Sequence, residues 1–163
     1  MVSSMCIAAA NRIIELTNEY NSGKPDDQRI VMTGKRLQKM LYFCEVEHMK
    51  ASGGQSMFKD EFYAWPSGPV IPSVYYQFMQ YQNGTMDVAS GSHSALTNTM
   101  QKVIDKIFDL TKEKDTVDLV KESHIEGGPW HQIYNEEDDQ HNRLIPKDKI
   151  YDFYSQHRLF AAE

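Results

Sequence analysis

Leu37-Gln38-Lys39-Met40-Leu41-Tyr42-Phe43-Cys44 decides the fold, together with a second run, Ala64-Trp65-Pro66-Ser67-Gly68-Pro69-Val70-Ile71-Pro72-Ser73-Val74-Tyr75. In the first run apolar side chains at 37, 40, 41 and 44 recur at helical spacing and continue weakly through Met49 and Ala51, so one face of a helix is buried. Lys35, Arg36 and Lys39 lie off that stripe and read as its solvated side. The second run holds three prolines, at 66, 69 and 72. Each locks its own φ and pushes its predecessor toward extended backbone, which makes a stiff corner. Most of the aromatic and sulfur-bearing side chains sit between Leu37 and Tyr75 or just beyond, so this stretch supplies the centre of the core.

Working outward, 163 residues suit one domain. The chain is 40% hydrophobic and 25% charged, which is ordinary globular usage. Its net charge of −6 argues against wrapping nucleic acid, since phosphate contacts need clustered Lys and Arg. Two cysteines, Cys6 and Cys44, each in an apolar helical setting, are too few for a disulfide framework; they read as buried free thiols in a reducing compartment. The first residues lack a basic segment followed by an apolar one, and no run reaches the ~20 apolar residues that span a bilayer. The expectation is a soluble, cytoplasmic protein.

Before the deciding stretch, residues 5–20 read as a helix with Ile7, Ala10, Ile13, Ile14 and Thr17 inward and Asn11, Arg12, Glu15 and Asn18 outward. Thr33 is placed to cap the second helix, and Gly53-Gly54 stops it. From Ser56 to Trp65 the period changes: Met57-Phe58 and Phe62-Tyr63-Ala64-Trp65 flank polar residues and predict a small β-hairpin around 56–65. Pro72 opens a third helix through Tyr81 carrying Val74, Tyr75, Phe78 and Met79, and 85–95 reads as an exposed loop. Residues 96–110 form a helix with Met100, Val103, Ile104, Ile107, Phe108 and Leu110 inward. Thr116–Ser123 forms a short one behind Asp115, with Val117 and Val120 inward and Leu119 a further inward candidate. Pro129 starts a turn of helix that buries Trp130, and Pro146 starts the last helix, through His157. The fold class is mainly α: a compact single-domain helical bundle with one small β element.

No catalytic set emerges from the spacing. Cys44 and His48 share a helical face, but a buried thiol beside a boundary histidine accounts for them. His124-Ile125-Glu126 with His131 is the one cluster with metal-ligand character. Two glycines and a proline interrupt it, and His124 reads instead as a helix C-terminal residue whose cation the helix dipole favours. Phosphate-binding glycine loops are absent. The acidic run Glu136-Glu137-Asp138-Asp139 reads as solvated. Tyr and Trp remain. Trp65, Phe78 and Trp130 suit the core, whereas Tyr63, Tyr75, Tyr76 and Tyr81 are candidates for an exposed contact face.

Three landmarks in this order resemble one family: Leu37-Gln38-Lys39-Met40-Leu41-Tyr42-Phe43, then Ala64-Trp65 with Gly68-Pro69-Val70 and Tyr75, then His124 with Pro129-Trp130. Together they resemble the Panacea domain, the SocA-like or phage-associated (GepA-like) family, over a motif-bearing core of about 30–155 in a single domain of 1–163. Ser67 stands where the pattern has an aromatic. The resemblance implies a bacterial or phage antitoxin that neutralises the toxin of a neighbouring gene by direct protein binding, with no cofactor and no enzymatic activity. One branch of the family acts as an adaptor that delivers its toxin to an ATP-dependent cytoplasmic protease. The motif residues Lys39, Tyr42, Trp65, Gly68, Pro69, Val70, Tyr75, His124, Pro129 and Trp130 are the candidate partner-binding set. A metal-dependent hydrolase built on His124, Glu126 and His131 is the remaining alternative.

Overall fold

The computed structural model describes residues 2–80, 96–137 and 142–161, apart from the side chain of Gln80. Seven α-helices and three short strands are present among them: α1 (Ser4–Asn21), α2 (Gly34–Ala51), β1 (Phe62–Trp65), β2 (Gly68–Val70), α3 (Pro72–Gln80), α4 (Asn98–Thr111), α5 (Thr116–Ser123), α6 (Pro129–Ile133), β3 (Leu144–Ile145) and α7 (Lys147–Tyr154). The mainly α expectation with a small β element is met.

α2 is the axis around which the rest is packed: α1, α3, α4, α5, α7 and β2 all lie against it. Its start is set by Thr33, whose hydroxyl accepts the backbone N–H of Arg36 at 3.1 Å. Its end is set by Gly53 and Gly54, both at positive φ, with the Gly54 N–H returning to Met49 O at 2.7 Å. Every residue from Arg36 to Met49 is buried. The expected one-sided stripe therefore understates this helix. Lys35 is exposed as expected, but Arg36 and Lys39 are not solvated, with relative exposures of 4% and 0%.

A core helix surrounded on all sides can bury cations only where carbonyl oxygens meet them. For Arg36 those are the last carbonyl of α4 and one in the turn beyond it: one guanidinium nitrogen donates to Thr111 O at 2.9 Å and the other to Lys114 O at 2.9 Å. Arg36 thus closes the C-terminus of α4, whose last carbonyls have no helical partner.

The strands form one antiparallel sheet in the order β2-β1-β3, with Tyr63 opposite Val70 and Trp65 opposite Gly68 on one side and Phe62 opposite Ile145 on the other. The hairpin predicted around 56–65 is displaced. Met57 and Phe58 are not a strand but core plugs, 4% and 2% exposed, and the partner of 62–65 comes after the turn. Pro66 presets the turn backbone and Gly68, at φ +118°, supplies a conformation that L side chains avoid. The stiff corner is the hairpin turn itself.

Two other assignments change sides. Asn11, expected outward, is fully buried, and Val117, expected inward, points to solvent at 61% while Leu119 is in the core. Cys6 and Cys44 are buried free thiols as read, and burial pushes both well above the usual thiol range. His48 is spent on Gln55 O at 2.9 Å, which holds the loop after α2. Tyr81, the 85–95 loop and Asp138-Asp139 lie outside the described residues.

Candidate functional site

The three motif segments meet at the β1–β2 turn. β2 is an edge strand, and an edge leaves backbone groups in need of partners. α2 supplies them from two consecutive side chains. Gln38 brackets Ile71, its Oε1 accepting Ile71 N–H at 2.8 Å and its Nε2 donating to Ile71 O at 3.1 Å. Lys39 Nζ donates to Pro69 O at 3.0 Å. Pro69 has no N–H to offer a further strand, so the edge is closed by side chains and proline together.

Gly68 is the tightest point. A Cβ there would stand 2.7 Å from Ser123 Oγ and 2.8 Å from Lys39 Cε, so the close approach and the φ of +118° both demand glycine. Ser123, on α5, itself donates to Val120 O at 2.8 Å. Burial lowers the Lys39 ammonium to about 7, with the nearby Lys35 charge acting in the same direction.

On the other side of the turn, Trp130 Nε1–H donates to Trp65 O at 2.7 Å. Trp130 is placed by α6, where Pro129 occupies the first turn and Gly128 precedes it with no side-chain cap. Its ring stacks on His124 (centroids 3.7 Å, 5° between planes) and on Tyr134 (4.6 Å, 14°). His124 ends α5, and its backbone N–H returns to Val120 O at 3.0 Å. Its ring is not a cation bonding the helix end, as the sequence suggested. Burial lowers its pKa and the Lys39 charge does the same, against a backbone hydrogen bond at Ser67 that raises it. The downward shift favours the neutral imidazole in this stack. Tyr42 forms the floor, fully buried, with its ring edge-on to Phe62 at 5.4 Å and to Tyr154 at 6.4 Å.

From this buried frame one face looks outward. Trp65 packs edge-on to Tyr75 (5.1 Å, 66°) and Tyr75 to Tyr76 (5.3 Å, 81°). Tyr75, Tyr76 and Met79 are exposed by 38%, 63% and 55%. Beneath them Val74 is fully buried, and Phe78 rests on the start of α2, where a Cβ on Gly34 would touch its ring at 3.2 Å.

Of the sequence-predicted residues, Lys39, Tyr42, Gly68, Pro69, Val70, Pro129 and Trp130 are buried, Trp65 and His124 are half-buried, and Tyr75 reaches the surface. Gln38 and Ser123 belong to the same junction and went unselected. The sequence signal for Gln38 was its place beside Lys39 inside an apolar run. His124, Glu126 and His131 do not form a metal centre: His131 Nδ1 accepts Gly127 N–H at 3.2 Å and Glu126 is exposed. Among the described residues no three His, Cys, Asp or Glu side chains are grouped to hold an ion. No helix among them is long and apolar enough to cross a membrane.

Residues 37–131 match the family described as antitoxin SocA-like, Panacea domain, a span that contains every one of the ten motif residues. The antitoxin SocA of Caulobacter vibrioides is 29% identical over 119 residues, which are 65% of this chain and 62% of that relative's length. No solved structure matches.

Proposed function

Because the chain belongs to the SocA-like Panacea antitoxin family, we propose that it is the antitoxin of a two-gene pair and neutralises a toxin from a neighbouring gene by binding it directly in the cytoplasm. The observation that carries this reading is how the family's motifs are used. Lys39, Gly68, Pro69 and Trp130 are consumed in closing one hairpin turn, with no reactive atom left facing solvent. What the turn supports outward is an aromatic surface, and Tyr and Trp anchor protein interfaces because they bury large area at low entropic cost. The chain acts by contact and not by catalysis, with no cofactor.

Co-expression with each adjacent open reading frame under separate inducible promoters tests the proposal. Rescue from a toxic neighbour, with co-purification of the pair, is the expected result; no toxic neighbour, or a toxic one that is neither bound nor rescued, overturns it. Toxin half-life in the same strains separates the modes. An unchanged half-life assigns inhibition to occlusion, and a shortened one to delivery for degradation.

A further inference from the structure

Between Phe62 and Gln80 there is no Asp, Glu, Lys, Arg or His, in a chain of which a quarter is charged. This segment is β1, the turn, β2 and α3, and none of the side chains it exposes carries a charge. The exposed residues it offers are Pro66 at the turn and Tyr75, Tyr76 and Met79 on α3. Tyr75 and Met79 are one helical turn apart and Tyr76 lies beside them, so the three form a single patch. Loss of charge with enrichment of Tyr, Trp and Met is the composition of an interface centre, not of a solvated face.

The net charge of −6 is carried wholly by residues outside this segment. The patch is therefore an uncharged centre on an acidic molecule. A second copy is the wrong occupant, since it would set one acidic protein against another. Nucleic acid is wrong too, because the segment has no cation for a phosphate. We propose that the face made by Pro66, Tyr75, Tyr76 and Met79 is the docking surface for a partner protein with an apolar centre and a basic rim. This deepens the antitoxin reading and rests on it: the partner is the toxin.

The patch is also pre-organised. Tyr75 is held by Trp65, Trp65 O by Trp130, and Trp130 by its stack with His124 and Tyr134. Side chains fixed before binding lose less entropy on binding.

The test uses the neighbour-encoded protein that the chain rescues and co-purifies with, titrated calorimetrically against the full chain and three variants. Tyr76→Ala and Met79→Ser fall in the patch; Val117→Ser removes an equally exposed apolar side chain on α5 and is the control. Tyr76→Ala is expected to weaken binding by at least about 30-fold, Met79→Ser by about tenfold and Val117→Ser by less than about twofold. Raising salt from about 0.05 M to about 0.5 M is expected to slow association at least about tenfold. Thermal melting confirms that the variants are folded. Patch variants that bind as the native chain does would overturn this surface while leaving the antitoxin reading intact. Salt-independent association would overturn the basic rim. Concentration-dependent dimers that Tyr76→Ala abolishes would assign the face to a second copy and overturn the proposal. If no neighbour product binds, the antitoxin reading falls first and this surface falls with it.

Discussion

Two lysine ammonium groups are held against α2, Lys39 buried and Lys147 half-buried, and the chain treats them in opposite ways. Lys147 Nζ meets a carboxylate, Glu45 Oε1 at 2.7 Å, and two further acceptors, Ser56 Oγ at 2.8 Å and Phe58 O at 2.6 Å. Glu45, with no exposed side-chain surface, spends its other oxygen on the Met57 N–H. Among the described residues Lys39 Nζ has the Pro69 carbonyl and no carboxylate. The first junction fastens the 56–58 loop and the start of α7 to the core with charges matched. The second places an unmatched cation under the hairpin turn that carries the docking face. A buried charge with a partner is a staple; one without a partner is a stored cost that folding elsewhere offsets.

The sharpest way to break the comparison is to unmatch the matched site. Glu45→Ala removes the counter-charge of Lys147 and the acceptor of Met57 N–H at once. Loss of one partner of a buried pair costs about 3–5 kcal/mol, so urea denaturation should show that loss. A drop under about 1 kcal/mol would mean that Lys147 escapes to water, and the two junctions would then not differ in kind.

The converse change acts on Lys39 and depends on pH. Its folded pKa is lowered from 10.5 to about 7. Below about pH 7 the amine is protonated in folded and unfolded chains alike, and the full cost of burying the charge is present. Between about pH 7 and 10.5 the unfolded chain binds more protons, so stability rises with pH, and above that range the cost is gone. Lys39→Met lacks this dependence. Relative to the native chain it should be more stable by about 2–3 kcal/mol at pH 6, after loss of the Pro69 hydrogen bond, and should lose that advantage by about pH 10. Parallel stability curves for the two proteins across this range would remove the tension from Lys39.

Gly68→Ala comes next. It forces an L residue to φ +118° and pushes a methyl group into Ser123 Oγ and Lys39 Cε. About 2 kcal/mol is expected from chemical denaturation, with a smaller penalty when Lys39→Met is present because a more pliable neighbour then faces the new methyl. An equal penalty in both backgrounds would place the strain in the backbone alone.

Much of this architecture was legible in the sequence, because caps and prolines act locally. Thr33 caps α2, Pro72 opens α3, α5 spans Thr116 to Ser123, and Pro129 starts α6 as read. The sheet was misplaced for a related reason. Proline counts against a strand, and nothing local shows that a lysine thirty residues earlier will occupy the carbonyl of Pro69 on an edge that needs no donor. Arg36 and Lys39 failed differently. Periodicity finds the apolar stripe and assigns every charged residue off it to water, whereas the acceptors that bury these two, Thr111 O, Lys114 O and Pro69 O, come from distant sequence. The ten motif residues were picked by resemblance, which marks what recurs; only the folded chain separates those that hold the turn from Tyr75, which it presents.

The smallest effect asks whether the two flanks of the turn communicate. Trp130→Phe keeps an aromatic ring against His124 and deletes the N–H that meets Trp65 O at 2.7 Å. A neutral hydrogen bond to a half-buried carbonyl is worth about 1 kcal/mol, and that is the expected loss in urea denaturation at pH 6. The informative quantity is the double-mutant cycle with Lys39→Met. If the unmatched ammonium strains the turn and Trp130 holds the turn against that strain, relieving the charge should make the tryptophan hydrogen bond less important, with a coupling of about 0.5–1 kcal/mol at pH 6 that vanishes by about pH 10. Strict additivity at both pH values would make Lys39 and Trp130 independent fasteners of one loop. The contrast between matched and unmatched lysines would then be local to each site, and the docking face would feel neither.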